Sequence, residues 1–423
     1  MQPIMTSRHP CFNKDASGEC GRVHLPVAPK CNIGCRYCNR KYDCVNESRP
    51  GVTSAVLSPA QAATYVDKVL AVEPRITVIG IAGPGDPMAE PEKTLETIRR
   101  VHAKHPELLF CLSSNGLNLP DHVDELAEAG VTHMTVTVNA VDPEVGKNFY
   151  RFVRDGKVLY RGREAAELIL SRQLESIRRL KARGITVKVN TIVTPGYNDH
   201  HVEEVARKMR ELGVDILNLI PLCPTADTDF AEVPEPTPDM IETLRAKAEA
   251  YLPQMRHCKR CRADAVGLLS HDRSAELAPT LAACAAAIPE LDPAKPFVAV
   301  ASMEGLLVNE HLGEAGRLLI YEPRPGGYTL LDERPTPPPG SGVSRWYTLA
   351  ELIKDCRAVL VSGIGDTPRT VLEEHNILPV EMSGFIEQGL DAVYKTGDLD
   401  ALKTRRTKAA CSAGCRGGGE GCG

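Results

Sequence analysis

The sequence predicts an α/β protein: a (β/α) barrel of the TIM type, partial or full, followed by a smaller α/β domain. Three observations carry this. Between about residues 23 and 255, six short aliphatic runs alternate with helical patterns. Cap and turn residues sit at the junctions. Beyond the Ala- and Pro-rich stretch "LAPTLAACAAAIPELDPAKP" (277–296), the alternation resumes on a smaller scale.

The strand candidates are 23–27, 76–82, 108–113, 133–138, 185–193 and 216–221. Each is β-branched or aliphatic and nearly continuous, as in parallel strands buried on both faces. Ser58-Pro59 followed by Gln61 is a capping box with Pro at the first helical position. Asp199 is expected to cap the run that stops at Gly213, and Thr237-Pro238 opens another helix. Such alternation makes a parallel sheet, and six repeats favour a barrel or most of one. Sites on such barrels lie at the C-terminal ends of the strands.

The second unit begins near Phe297. "FVAVASMEGLLVNEHLG" and "RLLIYE" suggest a hairpin, and "PTPPPGSG" (335–342) is a loop by composition. "RAVLVSGIGDTPRTVLEEHNI" reads as strand, Gly turn, Thr367-Pro368 cap and helix. "SGIGD" (362–366) lacks a full GxGxxG and is a tight βα turn. The expected organisation is an arm (1–22), the barrel with a C-terminal CxxC (23–262), helix and linker (263–296), the second domain (297–400) and a Cys/Gly-rich tail (401–423).

Composition narrows the function. Net charge is −5 and aromatics are 4% of the 423 residues, which argues against a nucleic-acid partner. No apolar stretch reaches the roughly 18–20 residues of a membrane span, and the N-terminus lacks the apolar region of a signal peptide. The expected location is therefore the cytoplasm, where thiols stay reduced. Fifteen cysteines there read as metal ligands rather than bridges.

Their spacing is specific. "CNIGCRYCNRKYDC" holds Cys31, Cys35, Cys38 and Cys44 directly after the first strand. A structural zinc would want a fourth ligand and usually paired CxxC. Three thiolates in one loop would instead leave one iron of a cluster open. CxxxCxxC, with aromatic Tyr37 before the third cysteine, resembles the signature of radical S-adenosylmethionine (SAM) enzymes. "AGPGDP" (82–87), ending the second strand, is similar to that superfamily's Gly-rich motif for the methionyl amine of SAM. There Gly83 and Gly85 would let the backbone approach and Asp86 would accept from the ammonium; the plain alternative is an ordinary βα turn. Ser113 and Asn115 of "SSNG" fall where ribose contacts are expected, and Asn139 and Asn190 near the ends of strands four and five. For single asparagines a backbone bond at a strand end is the competing reading.

Further ligand candidates are His24 at the start of strand one, Cys111 in strand three, the Cys258/Cys261 CxxC and Cys11 after "RHP". Cys223, Cys284 and Cys356 read more simply as small apolar residues. "HPCFNKDA", "HLPVAPKCNIGCRYCNRKYDCVNESRPGV", "AGPGDP" and "CRADAVGLL" closely resemble the NifB family of nitrogenase cofactor-maturation proteins over about residues 8–270. The second domain resembles the NifX-like domain that binds the iron–molybdenum cofactor, with "VNEHLG" as its short His motif and His311 its best single ligand candidate.

The resemblance implies three [4Fe–4S] clusters and SAM. The triad would hold the SAM-cleaving cluster. By position His24, Cys44 and Cys111 match the set of one precursor cluster, and Cys11, Cys258 and Cys261 that of the other. The two precursors would be fused with a SAM-derived carbide and a sulfur into the eight-iron NifB-co. Glu47 and Arg49 become candidates for proton transfer or for orienting SAM, against a plain loop ion pair. Implied partners are iron–sulfur cluster donors and cofactor carrier or scaffold proteins of nitrogenase assembly, and an electron donor such as ferredoxin or flavodoxin. Two other readings stay open: another radical SAM maturase with auxiliary clusters, or a non-enzymatic cluster carrier. Cys20 has no assigned role, and the tail trio Cys411, Cys415 and Cys422 is either a thiol-bearing arm or a disordered end.

Overall fold

The computed structural model describes residues 7–46, 51–53, 55–286, 295–340, 342–396, 399 and 402. They fall into two compact units, Met1–Ala287 and Ile288–Gly423. The tail trio, Glu47 and Arg49 lie outside the described residues.

The first unit contains strands β1 (Gly21–His24), β2 (Ile33–Cys35), β3 (Ile76–Ile81), β4 (Leu109–Ser114), β5 (Val131–Thr137), β6 (Tyr150–Asp155), β7 (Val158–Tyr160), β8 (Thr186–Val193), β9 (Ile216–Pro221) and β10 (Val266–Gly267). Its main sheet has the order β10-β1-β3-β4-β5-β8-β9. Six of these strands are parallel, and β10 joins β1 antiparallel. The order has two ends, so the barrel is the partial form. Strand β1 starts two residues before its expected position, which puts His24 at its C-terminal end rather than its start.

The strands are buried on both faces, as expected, but the faces differ. Val23, Ile79, Ile81, Phe110, Leu112, Met134, Val136, Val187, Val189 and Leu217 share one apolar cluster with Val66, Ile98, Val123 and Leu180 of the covering helices. Each such side chain contributes on the order of 1.5–3 kcal/mol by leaving water. The alternate residues Arg22, His24, Cys111, His133, Thr135, Lys188 and Asn190 point to the other, concave face. A strand's period of two thus writes an apolar core on one side and a polar lumen on the other.

Local signals set the helix starts. Ser58 and Gln61 exchange both capping-box bonds, Ser58 N–H to Gln61 Oε1 at 2.8 Å and Gln61 N–H to Ser58 Oγ at 3.4 Å. Thr237 Oγ1 accepts from Met240 N–H at 3.2 Å. Asp199 does not cap the helix Val202–Glu211: it begins a 3-10 turn, Asp199–His201, and accepts from Gly196 N–H at 2.8 Å. The intervening turn absorbs the residues the sequence reading gave to the helix.

Two features escape the sequence reading. Strands β2, β6 and β7 form a separate antiparallel sheet, turned at Asp155-Gly156, where Gly156 has φ +55°. Asp-Gly between apolar runs is a hairpin signal that went unused. Cys35 therefore ends a strand paired with Tyr150 instead of lying in a free loop. The expected linker is also structural. The helix Ser274–Ala286 packs Leu277, Leu281 and Cys284 into the barrel core, and Gln61 Nε2 donates to Ala285 O at 3.0 Å.

The second unit has strands β11 (Phe297–Val300), β12 (Leu307–Val308), β13 (Arg317–Arg324), β14 (Gly327–Pro335), β15 (Cys356–Val361), β16 (Leu378–Glu381) and β17 (Gly384–Phe385). Its five-stranded sheet has the order β14-β13-β11-β15-β16. The expected pairing of β11 with β13 is present and antiparallel, but the tight hairpin is β13–β14, with Gly326 at φ +89° in its turn. The helix Asp366–Glu374 starts one residue before Thr367, with Gly365 as its N-cap, so Thr367 lies within the helix. Cys356 is fully buried in the core of this unit.

Buried Gln173, on the helix Gly162–Ala182, ties the ends of two strands that carry the site. Its Nε2 donates to Asn115 O (3.0 Å) and Thr137 O (2.8 Å). Replacing Gln173 by Leu leaves two buried carbonyls unsatisfied and should cost roughly 2–4 kcal/mol. Chemical denaturation of the metal-free chain measures it, and a loss below experimental error would contradict this role.

Candidate metal centre

Two cavities of the barrel collect most of the predicted ligands. The first is lined by Cys31, Cys35, Cys38 and Cys44 together with Tyr37, Asn46, Asp86 and Asn115, around ≈ 310 Å³ of empty space. Among the described residues no cysteine is in a disulfide. Burial pushes the Cys31 thiol up to about 12, and raises Cys35, Cys38 and Cys44 as well. These thiols are protonated in the metal-free protein, so binding a soft metal releases protons and supplies the charge that the burial lacks. Four sulfurs lining one cavity are a donor set for iron–sulfur chemistry.

The cysteine loop and the loop 82–87 are locked together. A Cβ at Gly85 would lie 2.0 Å from Lys30 O, and Gly85 N–H donates to Ala28 O at 2.5 Å. Glycine is needed there for one protein loop to approach another. Arg40 bridges the same two loops, donating to Pro29 O at 2.5 Å and Pro84 O at 3.2 Å. Asp86 is buried, and burial raises its carboxyl from the ordinary range. Its oxygens accept from Met88 N–H (2.9 Å), Ser114 Oγ (3.0 Å) and Asn115 N–H (2.6 Å). Asn115 Nδ2 in turn donates to Asn32 Oδ1 at 2.7 Å, beside Cys31.

The asparagines serve the scaffold around Cys44. Asn139 Nδ2 donates to the Tyr37 hydroxyl (2.8 Å), which donates to Asn46 Oδ1 (2.7 Å). Asn139 Oδ1 accepts from Ile192 N–H at 2.9 Å. Asn190 Nδ2 donates to Asn46 O at 2.7 Å, and its Oδ1 accepts from Asn218. The Tyr37 ring packs near Phe149 and Phe230, at centroid distances of 6.4 and 6.2 Å. Asn46 and Arg40, which hold this cavity together, were not singled out from sequence; their neighbourhood to the cysteines was the available signal.

The second cavity opens in the lumen, with ≈ 580 Å³ of empty space. It is lined by Cys11, His24, Cys111, Cys258 and Cys261, drawn from the arm, β1, β4 and the segment after the last barrel helix. Ser113 lines this cavity and not the first. Cys44 is in the opposite position: it joins the triad and not His24 and Cys111. Among the described residues no three His, Cys, Asp or Glu side chains converge on a single metal ion. Gly80 makes room for His24, since a Cβ there would meet His24 Cδ2 at 2.4 Å. The arm is pinned by Thr77 Oγ1 donating to Arg8 O (2.8 Å) and by His257 Nε2 donating to Pro10 O (3.0 Å).

Three cavity residues were missed from sequence: strand alternation reveals Arg22 and Lys188, and only the folding of the arm onto the barrel reveals His9. Buried Arg22 donates to Cys261 Sγ from Nε (3.4 Å) and Nη2 (3.1 Å), and to Gly267 O and Asp272. Buried Lys188 stands 5.9 Å from the Phe12 ring centroid. His9 is the third. His24 Nδ1 lies 3.0 Å from Arg262 O; a carbonyl only accepts, so Nδ1 carries the proton and Nε2 keeps a lone pair. Burial pushes His24 down to about 4, so it is neutral near pH 7. In the second unit, His311 Nδ1 accepts from Gly313 N–H at 3.1 Å, which leaves the proton on Nε2.

His133, on β5, is pushed down to about 4 by burial alone. The unfolded chain takes up this proton near pH 6.5 and the folded chain does not, so stability falls as pH drops from 6.5 towards 4. For this group the loss at pH 5 is roughly 2 kcal/mol. Denaturation of the metal-free chain at pH 7 and pH 5 should show it, and His133→Phe should remove that share of the difference.

Comparison with known proteins agrees with this architecture. The pattern described as "Radical SAM superfamily" matches residues 25–209, and that described as "Dinitrogenase iron-molybdenum cofactor" matches residues 294–396. The chain is 49% identical over 416 residues to the FeMo cofactor biosynthesis protein NifB of Chlorobaculum tepidum, covering 98% of each. It is 40% identical to the NifB of Klebsiella pneumoniae, covering 88% of this chain and 86% of that one. Among the described residues no helix is long and apolar enough to cross a membrane. A partial barrel with a thiol triad at its mouth, a second cofactor-type domain and identity along nearly the whole length have one reading: the chain belongs to the NifB family of FeMo cofactor biosynthesis proteins, enzymes of the radical SAM superfamily.

Proposed function

We propose that this enzyme fuses two [4Fe–4S] precursor clusters, its substrates, with a SAM-derived carbide and an added sulfur to give eight-iron NifB-co. The observation that supports this most is the presence of two donor sets in one barrel, the triad with Cys44 and the lumen set of Cys11, His24, Cys111, Cys258 and Cys261.

In this reading Cys31, Cys35 and Cys38 hold the resident [4Fe–4S] cluster. With SAM bound, that cluster supplies reductive cleavage to a 5′-deoxyadenosyl radical, while a second SAM supplies the methyl carbon. Asp86 and Asn115 hold the loops on which the cysteines stand, and Gly83, Gly85 and Ser113 belong to the SAM-facing set that the family motif implies. His24 and Cys111 of the lumen, joined by Cys44 from the triad's cavity, take one precursor, and Cys11, Cys258 and Cys261 the other. Arg22 donates to Cys261 and offsets thiolate charge in the lumen. Glu47 and Arg49, just after Cys44, move a proton or orient SAM. The second domain receives the product and passes it to a carrier protein of nitrogenase assembly. Cluster donors feed the barrel, and a ferredoxin or flavodoxin supplies electrons.

A neutral imidazole holds iron less firmly than a thiolate, and His24 is held neutral with its Nε2 lone pair exposed to the cavity. His24→Cys should therefore keep iron loading and slow product release several-fold, read as transfer of iron to a carrier protein over time. Unchanged release would remove this role.

The decisive test is anaerobic reconstitution with iron, sulfide, SAM and reductant. S-adenosylhomocysteine should form together with 5′-deoxyadenosine, and the eight-iron product should activate cofactor-deficient nitrogenase. Deoxyadenosine alone would favour another radical SAM maturase, and absence of SAM binding a cluster carrier.

A further inference from the structure

Two imidazoles line the lumen cavity, and the fold fixes them in opposite tautomers. His24 gives its Nδ1 proton to Arg262 O and keeps a lone pair on Nε2. His9 does the reverse. Cys11 N–H donates to His9 Nδ1 at 3.1 Å. A backbone amide can only donate, so Nδ1 holds the lone pair and the ring proton sits on Nε2. The first nitrogen is built to bind metal and the second to donate a hydrogen bond.

His9 Nε2 is an unusual donor. The residue is 1% exposed, and Nε2 has no hydrogen-bond partner among the described residues. A buried donor left unpaired costs on the order of 1–3 kcal/mol. The ring is held on both sides, by Phe12 at a centroid distance of 4.6 Å and His133 at 4.4 Å, so swinging out to water would break both contacts. It lines the same cavity as Cys11, Cys111, Cys258 and Cys261. The cavity's cationic side chains, Arg22, Lys188, Lys259 and Arg260, are donors and offer His9 nothing. The hydroxyls of Ser113 and Thr135 line the cavity but do not take the proton. Apart from the Nε2 lone pair of His24, which faces the cavity as a metal donor, sulfur is the remaining class of side-chain acceptor there.

We propose that His9 is a hydrogen-bond donor, not a ligand, to a sulfur of the iron–sulfur cluster held in the lumen cavity. The acceptor is a cluster sulfide or a ligating thiolate, both anionic and both absent until the cavity is loaded. To serve as a ligand through Nε2, His9 would have to shift its proton to Nδ1 and face it against Cys11 N–H. That would break the bond that fixes the loop carrying Cys11. As a donor it keeps that bond and stabilises negative charge on sulfur, which favours the reduced cluster. His9 is thus a positioning residue for the cluster. This rests on the proposal that a cluster occupies the lumen.

The test uses the full chain, reconstituted anaerobically with iron and sulfide, with ¹⁵N-labelled histidine. Wild type, His9→Ala and His9→Gln are compared by iron per chain, by redox titration followed by EPR, and by pulsed ENDOR in H₂O and D₂O. Thermal melts before loading check folding, and His9→Gln carries the test if His9→Ala does not fold. The expected result in the variants is an unchanged iron count, loss of one exchangeable proton coupling, and a downward shift of one auxiliary cluster's midpoint potential. A strong ¹⁵N coupling lost together with iron would make His9 a ligand and overturn the proposal. Unchanged couplings and potential would make it purely structural and also overturn it. If wild type itself loads only the triad cluster, the reading of the lumen fails, and this inference fails with it. That outcome is separate from the others because it is seen without any variant.

Discussion

The strands of the partial barrel carry two incompatible demands, and a pleat of period two reconciles them. One face has to shed water against the helices, which requires Val23, Ile79, Phe110, Met134 and Val187. The other has to present sulfur, imidazole and charge: Arg22, His24, Cys111, His133 and Lys188. A shift of one residue in any strand would exchange the two sets. Arg22, His133 and Lys188 are almost as buried as the apolar core, while His24 and Cys111 are half-buried, so the polar groups of this face depend on partners inside the protein. Arg22, with its bonds to Cys261, Gly267 O and Asp272, shows how far that is taken.

The mouth of the barrel depends on a second constraint, the contact between two loops. Gly85 lets the loop 82–87 sit against Lys30, Arg40 ties both, and Asp86 anchors Asn115 from the end of the third parallel strand. Cys31 is thereby fixed from three directions, and Cys35 by its place in β2. The backbone that carries the thiols is thus held by the protein before any metal arrives. Such preorganisation suits an enzyme whose chemistry is carried by its cofactors, with the chain supplying position and exclusion.

The lumen adds a finer distinction. His24 and His9 are both buried, both neutral by virtue of burial and both at the same cavity. Their neighbours, a carbonyl in one case and an amide in the other, give them opposite capacities. A residue type alone therefore does not define a ligand; the partner of its other nitrogen does.

The sequence by itself determined the order and kind of the main elements. Continuous aliphatic runs, the Ser58–Gln61 box and the Thr237 cap are local signals, and local physics suffices to read them. It also determined the triad, since three cysteines within eight residues have little freedom to separate, and the family motifs named the outlying ligands. What it left undecided depends on residues far apart in the chain. The tertiary structure put Cys11, Cys111 and Cys261 on one cavity, although up to 250 residues separate them. It placed Cys44 with the triad and committed Asn139 and Asn190 to the scaffold. It brought the helix Ser274–Ala286 into the core through Leu277 and Leu281, contacts that an Ala-rich composition conceals. Above all it decided the proton positions on His9 and His24, because each is dictated by a backbone group that only folding brings within reach.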